Sequence, residues 1–330
     1  NWAQRWTYSN ERDTFGTLRA EYDVNDRVTV YGAYGMRRTK ESNSLAGLTV
    51  TNGATGDGTM ARFDNSREDK VDTGEIGARA QVSTGPVNHA LVLGFSRFDL
   101  DVANAYGMQT GSSMATNLYR PAFFDRPALT LFGNDLANPR KQRTTRLTSY
   151  AIGDTMSFLE DTIQITLGLR HQKLDYDNYA YGTGIRVDGY DDSHTSPLVG
   201  LLYRLRKDVS IYANYVEALT QGQIAPRDTA NFGQALAPYI SKQKEIGVKY
   251  DSGRLGASLA VFTTTRPRAF VNELNLFGEA GEDRHRGLEL LVFGEALPGL
   301  RVLGGLTFLD AEQRSTGSAT TDGRKVIGVP

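Results

Sequence analysis

The 330-residue sequence contains no cysteine. Disulfides, thiolate metal sites and cysteine nucleophiles are therefore excluded together, and an oxidising compartment poses no risk of mispairing. No stretch approaches the roughly 18 uninterrupted apolar residues that a spanning helix needs. Lys and Arg number 37 against 38 Asp and Glu, a net charge of −1. With no global field to attract nucleic acid, no nucleic-acid partner is expected. The start, Asn1-Trp2-Ala3-Gln4-Arg5, lacks the basic and apolar regions of a leader. Either such a leader has been removed or the sequence begins inside a longer protein.

A hydrophobic share of 39% and a mean hydropathy of −0.40 would pass for a soluble protein. They do not exclude a β-barrel, whose wall alternates apolar and polar positions and whose loops are polar. Alternation is what the sequence offers in quantity. Ile163, Ile165, Leu167 and Leu169 interleave with Gln164, Thr166, Gly168 and Arg170, as a pleated strand between two different solvents requires. Leu18, Ala20, Tyr22 and Val24 alternate with Thr17, Arg19, Glu21 and Asp23 in the same way. So do Ile246, Val248 and Tyr250, and then Leu255, Ala257, Leu259 and Val261. A soluble sandwich would alternate too.

The spacing of the chain breakers separates these readings. Tight-turn residues sit at 25–27, 84–86, 159–161, 206–208, 251–253 and 297–299. Between them lie long polar stretches, read as loops: 41–69, 104–142, 178–192, 220–238 and 271–282. Short and long connections alternate, which in an up-and-down antiparallel sheet places every short turn at one rim and every long loop at the other. That is the pattern of outer-membrane barrels. Two strands per tight turn gives about a dozen, flanked by fragments at 5–10 and 325–330. The run Val326-Ile327-Gly328-Val329-Pro330 reads as the start of a further strand. Open sheet edges in lipid are costly, so the expectation is a partial barrel domain over residues 1–330, truncated at both ends. Alone in water, such a piece is expected to aggregate.

From Val209 onward the sequence carries a series of recognisable blocks. Val209-Ser210-Ile211-Tyr212-Ala213-Asn214-Tyr215 is followed by a Gly/Pro loop, and then by Lys242-Gln243-Lys244-Glu245-Ile246-Gly247-Val248-Lys249-Tyr250. Next come the strand from Leu255 to Thr265, the block Arg284-His285-Arg286-Gly287-Leu288-Glu289, and a strand from Leu303 that ends Phe308-Leu309-Asp310-Ala311. In order and spacing these blocks resemble the barrel of TonB-dependent siderophore receptors. Upstream, residues 13–206 fit the hairpin rhythm with weaker block identity. The resemblance implies an all-β, transmembrane, antiparallel up-and-down β-barrel of 22 strands in the bacterial outer membrane, occluded by a plug domain. It implies import of ferric siderophores, driven by the TonB-ExbB-ExbD system through that plug. The plug and the closing strands are expected to lie outside residues 1–330.

The alternatives are uptake of haem, cobalamin or an oligosaccharide by the same machinery, a passive porin, or a soluble adhesin-like module. No enzyme is expected. Asp99/Asp101 and Ser193/His194 lack the nucleophile, base and orienting group that catalysis needs. His89, His171, His194 and His285 are scattered, and the cluster Asp188, Asp191, Asp192 and His194 reads as a solvated loop, so no metal site is expected. Iron should arrive already chelated, with no cofactor of the protein's own.

Glu245, Glu289 and Lys249 fall on the non-lipid face, where they line the lumen or meet the plug. Ligand contacts are expected instead from loop aromatics and arginines: Tyr106, Tyr119, Phe123, Phe124, Phe132 and Arg140 in the longest loop, with Tyr179, Tyr181 and Arg186 in the next. Arginine offers charge-assisted bonds to chelating oxygens, and rings offer apolar walls. On this reading the loop 104–142 folds inward over the barrel mouth. The competing reading is a self-packed loop or an interfacial aromatic girdle.

Overall fold

A computed structural model describes residues 3–316 and 319–329. It contains fourteen strands, and among the described residues no helix is long and apolar enough to cross a membrane. The strands are β1 (Tyr8–Asn25), β2 (Val28–Asn52), β3 (Asp57–Thr84), β4 (Val87–Met108), β5 (Met114–Asn117), β6 (Leu131–Gly133) and β7 (Arg140–Phe158). They continue with β8 (Ile163–Tyr179), β9 (Arg186–Arg206), β10 (Val209–Thr220), β11 (Tyr239–Asp251), β12 (Leu255–Val271), β13 (Phe277–Leu297) and β14 (Leu300–Arg314). Twelve of them form one antiparallel up-and-down path in chain order, with β5 added to β3 and β6 to β4.

Each expected tight turn is present, and its chemistry is local. Arg27 N–H donates to Asn25 Oδ1 at 2.9 Å, and Gly253 N–H donates to Asp251 Oδ1 at 2.8 Å. Gly253 has a φ of 80°, open to a residue without a Cβ. The turn after β7 does without glycine and holds Leu159, Glu160 and Asp161 all at positive φ.

Register carries one face across the whole sheet, because directly paired residues share a side. Tyr22, Val30, Ala78, Leu93, Ile152 and Leu169 lie in one such row, and Leu201, Ala213, Ile246, Val261 and Leu288 in another. The expected outward residues Ile163, Ile165, Leu167, Leu169, Leu255, Leu259 and Val261 all fall on this apolar face. Tyr22, Tyr203 and Tyr250 edge it near the tight turns, and Tyr34, Tyr150 and Tyr215 edge it at the far side, as two aromatic girdles do. Asp154 interrupts the face and pairs with His89 at 2.7 Å, whose other ring nitrogen bonds Thr84.

The opposite face is polar. Arg19 bridges Glu21 and Glu75 at 2.7 and 2.8 Å, and Arg79 joins Glu21 at 2.6 Å. Both guanidinium groups sit 5.2 Å from the Tyr31 ring centre. Glu245 accepts from the Tyr212 hydroxyl at 2.6 Å, and Lys249 stands over that ring. Rings on this face lie across glycines of the neighbouring strand. A Cβ at Gly77, Gly247, Gly287 or Gly256 would approach Tyr31, Tyr212, Phe262 or Phe293 to 2.5, 2.6, 2.3 or 2.4 Å. Each ring and glycine are direct register partners, so the bare backbone is covered by the facing ring.

The polar stretches differ from expectation. Residues 41–69 are mostly strand, since Glu41 pairs with Arg67 and Ser44 with Asp64, and the connection shrinks to 53–56. The loops read at 178–192 and 271–282 contract likewise to 180–185 and 272–276. Within 104–142, β5 and β6 pair back onto β3 and β4. Lys325 makes a bridge to Glu312 and a turn follows, so no new strand begins over 326–329; residue 330 lies outside the described residues. At the other end Tyr8–Asn10 belong to β1.

Candidate functional site

A transmembrane strand needs only about 9–11 residues, whereas β3 has 28 and β2 has 25. The surplus extends the wall beyond the apolar band on the side of the long connections. The ladder register, followed outward from the band through the bulges at Gln142 and Val187 that reverse parity beyond them, places each residue there on the inner or the outer face.

The inner face of this extension is lined with rings and amides. Tyr106 stacks with Phe63 at 6.4 Å between centroids and meets Tyr181 edge-on at 4.8 Å. Asn104 Nδ2 donates to the Tyr181 hydroxyl at 3.1 Å, and burial pushes that phenol above its ordinary pKa. Asn134 holds the arrangement from the loop side: its Nδ2 donates to the Asn104 carbonyl, and its Oδ1 accepts from Gly182 N–H. Arg140 reaches the Gly182 carbonyl at 2.8 Å.

Beside this group, Tyr176 and Tyr190 are register partners stacked at 5.3 Å, and Tyr239 is buried on the same face. Burial pushes the Tyr190 phenol up to about 12, and it also raises Tyr176, which lies beside Arg143. The loop 221–238 closes over these rings. Ala235 N–H donates to Asp188, and Ala269 N–H donates to Gln223 Oε1, which ties the loop to β9 and β12. Asn104 Oδ1, Arg143 Nε and the Tyr176 hydroxyl are buried without a well-formed hydrogen bond. Such atoms need a partner from water or ligand.

The nine candidate residues separate. Tyr106, Tyr181 and Arg140 come together on the inner wall. Tyr179, with Lys141 5.9 Å above its ring, and Arg186, bonded to Asp177, lie on the outer side, as does Phe132, paired opposite Gly107. Tyr119 covers Gly56 at the tip of the β2–β3 hairpin. Phe123 lies under Arg5, and the Phe124 backbone bonds Gln4 and Trp6.

The segment 122–129 packs on the face continuous with the apolar band, not over the mouth. Arg126 bonds Asp64 at 3.0 Å and Ser44 at 3.2 Å, Arg62 reaches the Pro127 carbonyl at 2.6 Å, and Leu129 fills the space at Gly107. Burial works against the Asp64 carboxylate. Hydrogen bonds from Arg62 and Ser44 and the charges of both arginines outweigh it and hold the pKa below the ordinary value. This latch turns the loop outward because Ser44, Arg62 and Asp64 have the parity of Tyr34 and Ile76.

Phe63, Asn104, Arg143, Tyr176 and Tyr239 were not singled out in the sequence. Their signal is parity: Tyr176 continues the series Arg170, Gln172, Leu174 along β8. Among the described residues no group of His, Asp and Glu could hold a metal ion.

A continuous antiparallel wall, apolar outside and charged inside, with tight turns at one rim and elaborated connections at the other, defines an outer-membrane β-barrel protein. Over residues 1–330 the chain matches the family described as TonB dependent receptor-like, beta-barrel, and it belongs to that family. It is 34% identical over its full length to the ferrichrome receptor FcuA of Yersinia enterocolitica, of which it covers 44%. It is 28% identical over 76% of its length to the ferrichrome outer membrane transporter/phage receptor of Escherichia coli K12, covering 33% of that protein. The crystal structure of BauA, the ferric preacinetobactin receptor of Acinetobacter baumannii, superposes with a TM-score of 0.82 at 29% identity, over 99% of this chain and 49% of that one. The chain thus spans about half the length, or less, of the relatives it matches.

Proposed function

We propose that the whole receptor imports a ferric siderophore, and that the inner wall of its extracellular rim, built by Phe63, Asn104, Tyr106, Arg143, Tyr176 and Tyr181, supplies part of the docking site. The observation that carries this is the coincidence on one face of stacked rings and unspent polar atoms. An iron chelate presents the complement, an apolar exterior with exposed carbonyl or acidic oxygens. The names of the relatives, ferrichrome and preacinetobactin receptors, support the class of cargo. Residues 1–330 are then the greater part of a wider barrel's wall, and coupling to the TonB system runs through a plug domain outside them.

The test uses the full-length receptor in whole cells, with iron-55 chelates of the hydroxamate, catecholate and citrate classes. The pair Tyr106→Ala and Tyr181→Ala is expected to abolish high-affinity binding of one class, while Phe123→Ala with Phe132→Ala leaves it unchanged at equal surface expression. Equal loss from both pairs, or from neither, would remove the inner wall from the site.

A further inference from the structure

Backbone ladders are interrupted at one place on the rim of long connections. On one side of β10 the ladder to β9 ends at Val216 with Leu198, although β10 continues to Thr220 and β9 reaches back to Arg186. On the far side of β11 the ladder to β12 ends at Lys242 with Thr265, although β11 starts at Tyr239 and β12 runs on to Val271. Between themselves β10 and β11 stay paired to the tip, Thr220 with Tyr239. Each flanking strand carries a proline just past the break, Pro197 on β9 and Pro267 on β12, and a proline has no N–H to give to a ladder. Residues 217–241 are therefore a flap, a hairpin end and its loop, with no backbone ladder to either neighbouring strand among the described residues.

Side chains and loop bonds hold the flap in place. Towards β9, His194 Nε2 lies 3.2 Å from a Glu217 carboxylate oxygen, and Asp188 accepts from Ala235 N–H. Towards the tip of the β12–β13 hairpin the attachment is broader. Ala230 N–H donates to the Asn275 carbonyl at 2.7 Å, Asn231 exchanges two bonds of 2.8 Å with the Phe277 backbone, and Asn275 Nδ2 reaches the Asp228 carbonyl at 3.0 Å. Inside the flap Ile224 bridges to Ala235, and Leu236 N–H donates to the Gln223 carbonyl, so the loop is one body. It covers the ring cluster of the inner wall. The Tyr190 and Tyr239 hydroxyls are buried there without a well-formed hydrogen bond, and no solute reaches them while the flap is down.

We propose that residues 217–241, together with the tip 272–277, form a lid that shields the inner-wall rings and lifts away from β9 by breaking the contacts of Glu217 and Asp188. The inference rests on the reading of that wall as a docking site, and it adds that the site is closed at rest. Elsewhere in the wall a ladder of backbone bonds locks each strand to its neighbours, whereas here two side-chain contacts stand in for it on the β9 side, which makes local opening cheap. Pro197 keeps it so. Continued register would set Glu217 opposite position 197, where an N–H donor would extend the ladder.

The test follows opening with no chelate present, so its failure and the failure of the docking reading are told apart. The full-length receptor carrying Tyr190→Cys as a reporter is labelled in outer membranes with a water-soluble maleimide. Asp188→Ala and Glu217→Ala, which each remove a bond to a charged group, are expected to speed labelling about ten-fold, and Pro197→Val, which supplies a ladder donor, to slow it about three-fold. A second reporter, Thr144→Cys, is buried on β7 away from the flap and should label at one rate in all these backgrounds. Heat-modifiable gel mobility shows that each barrel is intact. Equal labelling of Tyr190→Cys in every background would mean that the flap does not open at β9, and parallel changes at Thr144→Cys would mean a general loosening of the rim. Either result overturns the proposal.

Discussion

The lower half of the wall and its extension above the membrane use the same strands and the same register, yet they are built from different residues. In the lower half β8 alternates Ile163, Ile165, Leu167 and Leu169 with polar partners, because the two faces meet different solvents. In the extension β2 and β3 run Ser42, Asn43, Ser44 against Ser66, Asn65, Asp64, and ion pairs such as Lys40 with Glu68 replace apolar contact. Backbone pairing is continuous through both. The difference teaches that alternation reports a solvent boundary rather than a strand: where both faces meet water the strand persists and the pattern disappears.

The sharpest way to break this comparison is to place a charge on the outer face at two heights. Leu167→Arg, in the middle of the apolar row, should cost about 2–4 kcal/mol, whereas Ser193→Arg, outward-facing on the extension of β9, should cost about 0–1. Urea unfolding of the full-length receptor in liposomes measures both. Equal costs would place the two residues in the same solvent.

This contrast also explains what could be read in advance. The six tight turns and the outward faces of β8, β11 and β12 were legible, since Asn25, Gly253 and the Ile163–Leu169 alternation are local signals. Residues 41–69 were not, because Ser, Thr, Asn and Gly carry loop statistics and nothing local shows that Ser44 faces Asp64 across a ladder. The candidate site was legible only in part. Tyr106, Tyr181 and Arg140 stand on the inner wall, but the other candidates were chosen by composition, and composition does not record which side of a sheet a ring occupies. The outward fold of 122–129 depends on Arg126 meeting Asp64, 62 residues away in sequence.

The inner face yields the next prediction. Gly247→Ala drives a Cβ to 2.6 Å from the Tyr212 ring and 2.8 Å from the Leu259 carbonyl, while Gly16→Ala meets nothing within 4 Å. The first should destabilise by about 1–3 kcal/mol and the second should be neutral or better, checked by the same unfolding series.

The loop latch comes third. Arg126→Ala leaves Asp64 with Arg62 and Ser44 alone, and should cost about 1 kcal/mol of local stability, read as faster hydrogen exchange over 118–130 with uptake unchanged. The pH sign follows from the depressed Asp64 pKa. The latch contributes fully above the ordinary carboxylate range and is lost as pH falls through the folded value, so protection of 118–130 should drop first on acidification.

The smallest effect is spectroscopic. Exposed phenols ionise near pH 10, whereas Tyr190 should ionise about two units later, in the high-pH tail of the absorbance titration, and Tyr190→Phe should lower the amplitude of that tail by one phenol. A raised phenol pKa stabilises the fold fully below pH 10 and is lost between 10 and 12, so the cover formed by 221–238 should loosen over that interval.

The outer face of the wall leaves lipid at a defined height while its strands continue. Residues 1–330 contain no cysteine, so single cysteines can be placed along β8 from Ile163 to Tyr176 in the full-length receptor, spin-labelled in outer membranes and challenged with oxygen and with a water-soluble nickel complex. The expected result is oxygen access at 163, 165, 167 and 169 alternating with none at 164, 166 and 168, followed by nickel access on the outer face from 173 onward. Oxygen access at the even positions, or an unbroken lipid signature through 175, would contradict it.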